Sequence, residues 1–427
     1  MEINVFKFGG ASVNSAEAVR NVARIVERYR MGNLVVVVSA MGKTTNALEH
    51  ITNLWFHKKA KEVTAGLREV ESFHTTIARS LFPDPGHPVF RQIEHELQLI
   101  RNMLSNLPRE NFDMVYDQVV SSGELLSTRI IASYLNEFGL KTRWMDARKL
   151  VHTDATFRDA RVDWRKTTAS IRKIVLPVFS SDEKHHTIAL TQGFIGRTKG
   201  KLTTTLGREG SDFTAAIFAY ALEASQVVIW KDVPGLMNAD PKIFKATKKL
   251  PSISYNEAIE LAYYGAQVIH PKTIQPLQNK DIPLFIKSFL SPQRNGSLIH
   301  SGAMDDGKIP SFIFKFNQVL ISISPRDFSF ITENNLHFIF GLLTSNHIKV
   351  NLMQNSAISF SICVDHDERK INALLDALKE NYLVRYNTGV HLITIRHYTP
   401  AAVNKVVNHK KIFLEQKSRS TIQMVVK

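Results

Sequence analysis

The stretch INVFKFGGASVNSAEAVRNVARIVERYRMGNLVVVVSA, residues 3–40, decides the fold. Ile3–Phe8 alternates as a strand does, Gly9 and Gly10 interrupt it, and Asn14 followed three residues later by Glu17 gives a capping-box signal for a helix. That helix carries Val19, Val22, Ala23, Val26 and Tyr29 on one face. Leu34–Val38 is then apolar without interruption, as a parallel strand covered on both faces requires, so the stretch predicts a βαβ unit. Working outward, further strands are predicted at Met114–Val120, Thr187–Gln192, Gln226–Trp230 and Ile282–Lys287, with helices at Glu124–Phe138 and Asp212–Glu223. The alternation implies an α/β domain, a mostly parallel sheet sandwiched by helices. Residues 54–110 carry a charged helical pattern broken at Pro83-Asp84-Pro85-Gly86 and read as a helical insertion.

The last 118 residues change rhythm. Short strands are predicted at Val319–Ser324, Ile348–Met353, Ile358–Val364, Leu383–Tyr386, Val390–Ile395 and Ile422–Val426, with helices near 332–346, 367–381 and 400–408 between them. One or two βαββαβ units, an α+β ferredoxin-like layout, fit this order. Of 20 glycines, 18 fall in residues 1–309, so phosphate-binding loops are expected in the first part. The polar, Gly-rich stretch 291–310 reads as a linker between a domain at 1–290 and a tail at 311–427.

With 427 residues the chain is too long for one core, and 44% hydrophobic against 22% charged residues exclude wholesale disorder. The single cysteine, Cys363, excludes a disulfide scaffold and Cys-based zinc sites, and no metal site made by the protein alone is assigned. No run approaches the ~20 apolar residues of a membrane helix, and the opening MEINVFKFGG lacks an export signal, so a soluble cytoplasmic protein is expected. The net charge of +15 is spread over both parts, which favours a solvated basic surface over a nucleic-acid groove while still attracting anionic substrates.

Five segments carry chemistry. Lys7-Phe8-Gly9-Gly10-Ala11-Ser12 puts a cation and two glycines between a strand end and a helix start, which suits a phosphate or is a plain strand-turn-helix. Within Ser39–Asn46, Gly42-Lys43-Thr44 resembles the end of a Walker A loop, but Val37 stands where that loop needs glycine; what remains is a polar loop at the same strand-end edge. In Ser121-Ser122-Gly123-Glu124 the carboxylate either serves the helix start or faces a ligand ammonium. The loop Thr203–Asp212 offers Arg208 as a planar fork for a carboxylate, while Ser211 or Asp212 can cap the following helix. Trp230–Lys242 is a Pro/Gly-rich loop that is either structural or a nucleotide cradle with Lys231 and Lys242 near phosphates.

These segments, in this order, resemble the aspartate kinases of the amino-acid kinase family: KFGG-x-S, S-x-x-G-x-T-N, SSGE, TTLGR-x-GSD and DVPG-x-x-x-x-DP. Tyr264–Ile274 and the tail, which looks like paired ACT domains, extend the likeness over nearly the whole chain. The resemblance implies phosphorylation of the side-chain carboxylate of L-aspartate by ATP with Mg²⁺. Lys7 and Asp212 are then the catalytic pair. Ser39, Thr45, Glu124, Arg208 and Ser211 would bind substrate, and Lys7, Gly9, Gly10, Ser12, Lys231, Asp232, Met237, Lys242 and Gln267 would bind ATP. It further implies a homo-oligomer formed through the ACT domains and a lysine or threonine effector near Asn351 and Ser356, although Asn351 replaces an acidic residue. Ala11, Glu209 and Gln267 also depart from the pattern; Glu209 stands where glycine is usual. A kinase of glutamate, carbamate or a nucleoside monophosphate is the rival enzyme. A silent effector-binding or nucleic-acid-binding protein is the rival of another class.

Overall fold

Ile3–Phe8 and the apolar run Asn33–Val38 pair in parallel at the centre of the sheet, and Leu34–Val38 are fully buried, as strands covered on both faces must be. A computed structural model describes residues 2–180, 187–266, 269–303, 306–327 and 329–427. The eight-stranded sheet runs in the order Ser252–Ile253, Ser297–Ile299, Leu284–Ser288, Gln226–Lys231, Ile3–Phe8, Asn33–Val38, Ile188–Gln192, Thr142–Met145. All its pairings are parallel except that of Leu284–Ser288 with Ser297–Ile299. Alternation puts Phe6, Phe8, Leu34, Val36 and Val38 in a core with the helices Ala16–Tyr29, Ala60–Leu81, Pro88–Asn106 and Ser122–Glu137. Lys7 consequently points to the opposite face, against which the helix Gly210–Leu222 packs.

Several elements differ from the sequence-based expectation. Met114–Val120, expected as a strand, lies in the helix Phe112–Val120, started by Asn111, whose side chain accepts from Met114 N. A short apolar run does not distinguish a buried strand from a buried helix, and the cap decides. The first helix is capped by Ser15, accepting from Ala18 N at 3.1 Å, one residue after the expected Asn14. Ser211 and Asp212 lie inside the first turn of Gly210–Leu222 and do not cap it; the residue before that turn is Glu209. The 54–110 region is helical, with Trp55 Nε1 donating to Leu104 O at 2.6 Å to bind Thr44–Phe56 to Pro88–Asn106.

The chain divides into two compact units: Met1–Leu236 with Lys249–Ile259 and Ile269–Met304, and Met237–Lys248 with Glu260–Val268 and Asp305–Lys427. The stretch 291–310, read as a linker, contributes the strand Ser297–Ile299 to the large sheet, where Ser297 and Ile299 are buried opposite Ile286 and Leu284. The second unit holds a six-stranded antiparallel sheet, Val350–Asn355, Phe360–Asp365, Ser311–Pro325, Tyr382–Arg396, Thr421–Val426, Ile412–Lys417. Its helices Glu333–Ser345 and Glu368–Lys379 pack over one core and Pro400–Val407 over another, consistent with two ACT modules sharing one sheet. The two strands expected at 383–386 and 390–395 are one, Tyr382–Arg396, which passes through Gly389 at φ 67°. Ile412–Lys417 was not expected from the sequence; its polar outer residues hide the strand.

Candidate active site

Lys7 and Lys231 stand at the C-terminal ends of adjacent parallel strands, the edge where ligands bind in open α/β sheets. Lys7 Nζ lies 2.6 Å from Asp212 Oδ1, and Lys231 Nζ lies 3.4 Å from Oδ2. Burial pushes the Asp212 carboxyl upward, but the two ammonium groups outweigh it and hold Asp212 below the usual carboxylate range. Burial likewise pulls Lys231 down, and the Asp212 and Glu209 carboxylates more than offset it, leaving Lys231 above the ordinary lysine value. One carboxylate thus anchors two cations.

The glycine loop presses against the second loop. A Cβ on Gly10 would lie 2.9 Å from the carbonyl oxygens of Ala40 and Gly42, and Gly42 N donates to Gly10 O at 3.0 Å. A Cβ on Gly9 would lie 3.2 Å from Lys7 Nζ, so glycine lets that ammonium sit close against the backbone. Ser12 is buried and its Oγ donates to Trp230 O at 3.4 Å, which ties the turn to the strand Gln226–Lys231 from behind.

Glu124, in the first turn of Ser122–Glu137, is buried; Oε1 accepts a long 3.4 Å bond from Ala40 N and Oε2 has no partner among the described residues. Burial pushes its carboxyl up to about 8, against the pull of the Glu124 and Ala40 backbone N–H groups. Arg208 is exposed and makes no ion pair among the described residues. Both line the same cleft of about 510 Å³ with Lys7, Ser39, Thr45, Ser211, Asp212 and Lys231.

Not all expected residues line it. Gly9, Gly10 and Ser12 form the turn beneath Lys7, and Asp232 is exposed outside the lining. Met237 and Lys242 belong to the segment 237–248 that groups with the second unit, and Gln267 lies outside the described residues. The structure adds Asn46, Glu49, Tyr116, Arg158 and Phe194, none singled out from the sequence. Arg158 sits at φ 67°, with its guanidinium 4.3 Å from the Tyr116 ring centroid and 3.4 Å from Glu49 Oε1. Behind them, buried Asp117 accepts from Arg158 N, Thr205 N and Thr205 Oγ1 at 2.7–3.2 Å, joining the loop at 158 to the strand Thr203–Thr205. The polar pair Asp117-Gln118 inside an apolar run was the available signal.

In the second unit Asn351 donates to Gln318 Oε1 at 2.8 Å and Asp365 Oδ1 at 3.0 Å, and accepts from Lys315 Nζ at 2.7 Å. Ser356 is exposed and pairs with the Ser359 hydroxyl at 2.7 Å. Cys363 is buried and its thiol is pushed up to about 12 by burial, so it is inert.

A strand-end cation cluster beside glycine loops defines a phosphoryl-transfer α/β protein, and residues 2–288 match the model of the amino acid kinase family. The chain belongs to that family and, within it, to the aspartokinases. It is 31% identical over 368 residues to the lysine-sensitive aspartokinase 3 of Escherichia coli, covering 85% of this chain and 78% of the relative. It is 32% identical over 375 residues to the chloroplastic aspartokinase 2 of Arabidopsis thaliana, covering 84% of this chain and 66% of that one. Among solved structures it is similar to E. coli aspartokinase III in complex with aspartate and ADP (R-state), with TM-score 0.82 and 29% identity over 100% of this chain and 96% of that one. The same E. coli enzyme in complex with lysine and aspartate (T-state) gives TM-score 0.81.

Proposed function

We propose that the cleft is where this aspartokinase transfers the γ-phosphoryl group of MgATP to the side-chain carboxylate of L-aspartate, giving 4-phospho-L-aspartate and ADP. This is the first step of lysine, threonine and methionine biosynthesis. The observation that carries the reading is the coexistence, in one cleft with two lysines, of a buried carboxylate lacking a cation, Glu124, and a guanidinium lacking a carboxylate, Arg208. An α-amino acid supplies both missing partners.

The acceptor carboxylate has an ordinary pKa near ~3.9 and is ionised at neutral pH, so no general base is needed. The chain must instead bring two anions together and stabilise charge on the transferring group. Lys7 does this, oriented by Asp212, while Lys231 faces the phosphates. Arg208 takes the α-carboxylate and Glu124 the α-ammonium. Ser39, Thr45 and Ser211 add neutral hydrogen bonds that do not repel an anionic substrate. Gly9 and Gly10, shaped from behind by Ser12, open the backbone to the phosphates. Asp232, Met237, Lys242 and Gln267 rest on the family resemblance alone.

No group of three or more His, Cys, Asp or Glu among the described residues is arranged to hold a metal. Both oxygens of Asp212 face lysines, so the donor set fits a magnesium ion carried by the triphosphate instead of one caged by protein. Bound in that way, the ion neutralises phosphate charge.

The ACT-like sheet is proposed to join copies of the chain into a homo-oligomer and to receive lysine or threonine as an effector, and a cytoplasmic location is proposed with it. Trapping the acyl phosphate with hydroxylamine tests the activity. Aspartyl hydroxamate forms only with ATP and L-aspartate together; equal product with L-glutamate or none with L-aspartate refutes the reading.

A further inference from the structure

Glu209 sits at φ 55°, ψ 27°, immediately before the helix Gly210–Leu222, and its side chain gives that helix no cap. Glycine takes this left-handed conformation without a Cβ clash, so a glutamate here calls for another cause. Its Oε2 accepts from His270 N at 2.9 Å. His270 begins the helix Pro271–Gln278, its Nδ1 accepting from Lys272 N at 3.2 Å, and the Lys272 ammonium pairs with Asp159. Asp159 in turn lies against the other end of the same turn, since a Cβ on Gly207 would come 2.5 Å from its Oδ1. The turn that carries Arg208 is therefore tied at Glu209 and packs against Asp159 at Gly207, and both contacts lead back to the start of one helix.

We infer that Glu209 is a positioning residue that pins the Arg208 turn to His270, so that the guanidinium is in place before the amino acid arrives. The inference deepens the proposed function and rests on Arg208 being the partner of the α-carboxylate. A preset turn lowers the ordering cost of binding, which shows in substrate affinity and hardly in the chemical step. Its hydrogen bond needs an acceptor oxygen, which glutamine keeps and glycine lacks.

The test is steady-state kinetics of the parental enzyme, Glu209→Gly and Glu209→Gln, each with its thermal midpoint. Glu209→Gly relieves the left-handed backbone while removing the tie. It is expected to raise the aspartate KM about fivefold, the scale of one net hydrogen bond, without lowering the midpoint. Both variants remove the carboxylate that helps raise Lys231, so any change in kcat should be common to the two, while the aspartate KM of Glu209→Gln should stay within about twofold of the parental value. A parental KM in Glu209→Gly overturns the inference. So does a Glu209→Gln enzyme with the aspartate KM of the glycine variant, which assigns the effect to charge, or a KM rise accompanied by a fallen midpoint, which assigns it to general stability. Absence of turnover by the parental enzyme removes the proposed function and the inference with it, whereas a parental KM in the glycine variant removes the inference alone.

Discussion

The cleft and the C-terminal sheet treat polar side chains in opposite ways. In the cleft Glu124 Oε2 is buried without a partner and Arg208 has no ion pair among the described residues, while Lys7 and Lys231 share one carboxylate. In the sheet Asn351 uses its donors on Gln318 and Asp365 and its acceptor on Lys315, and Gln318 also donates to Asp365 at 2.9 Å. An unsatisfied buried group costs free energy, so a cleft that retains one is poised for a ligand that satisfies it. A network closed on itself holds a fold in one arrangement. An effector that reaches Asn351 finds only the second lone pair of Oδ1 free of these bonds, and otherwise displaces Lys315, Gln318 or Asp365.

The contrast is sharpest where charge meets the transferring group. Lys7→Ala is expected to lower kcat ~10²–10³-fold, with a much smaller change in aspartate KM, because its charge is needed most in the transition state. A folded Lys7→Ala enzyme with parental kcat would reduce Lys7 to a strand-end lysine. Next in size is substrate choice: one extra methylene moves the nucleophile by roughly 1 Å, so kcat/KM for L-glutamate should fall about a hundredfold below that for L-aspartate. Equal values break the pairing of Arg208 and Glu124 with the α-groups.

Glu124→Gln should raise aspartate KM about tenfold, the scale of a hydrogen bond to a charged group. The parental KM should also depend on pH. Burial raises Glu124 to about 8, so the free enzyme carries a neutral carboxyl at pH 7 and an ionised one above pH 8. Only the ionised form pairs with an ammonium, so the KM should fall as pH rises from 6.5 through about 8. Measured profiles of the parental enzyme and Glu124→Gln check the sign; a flat parental profile contradicts it.

The smallest catalytic effect belongs to the sheet. Asn351→Ala strips partners from Lys315 and Gln318 and should cost ~1–3 kcal/mol in urea unfolding. Uninhibited kcat should be unchanged, since Lys315, Gln318, Asn351 and Asp365 all belong to the second unit. A kcat loss larger than the stability loss would give Asn351 a part in turnover.

Much of the first unit was legible because continuous burial writes itself as continuous apolar sequence, as at Leu34–Val38, and because cleft residues sit at the ends of such strands. Lys7 stands near the end of a strand, Arg208 follows one, and Glu124 and Asp212 lie in the first turns of helices, which is where the segments were read. Arg158, Glu49 and Tyr116 were not legible, since a loop, a helix and another helix bring them together and no local spacing records it. Phe112–Val120 was misread because seven largely apolar residues suit either period, and its cap, Asn111, lay outside the run considered. In the tail, Gly389 at φ 67° bends one long strand where the sequence suggests a break between two.

The central claim is that Glu124 waits for the ammonium of aspartate, and proton release on binding tests it most directly. Isothermal calorimetry of L-aspartate binding to the ADP-bound enzyme at pH 7, in buffers of different ionisation enthalpy, counts the protons. A carboxyl at about 8 that becomes ionised on pairing should release about one proton per aspartate, and Glu124→Gln should release none. Binding without proton release, or with equal release by the variant, contradicts the account.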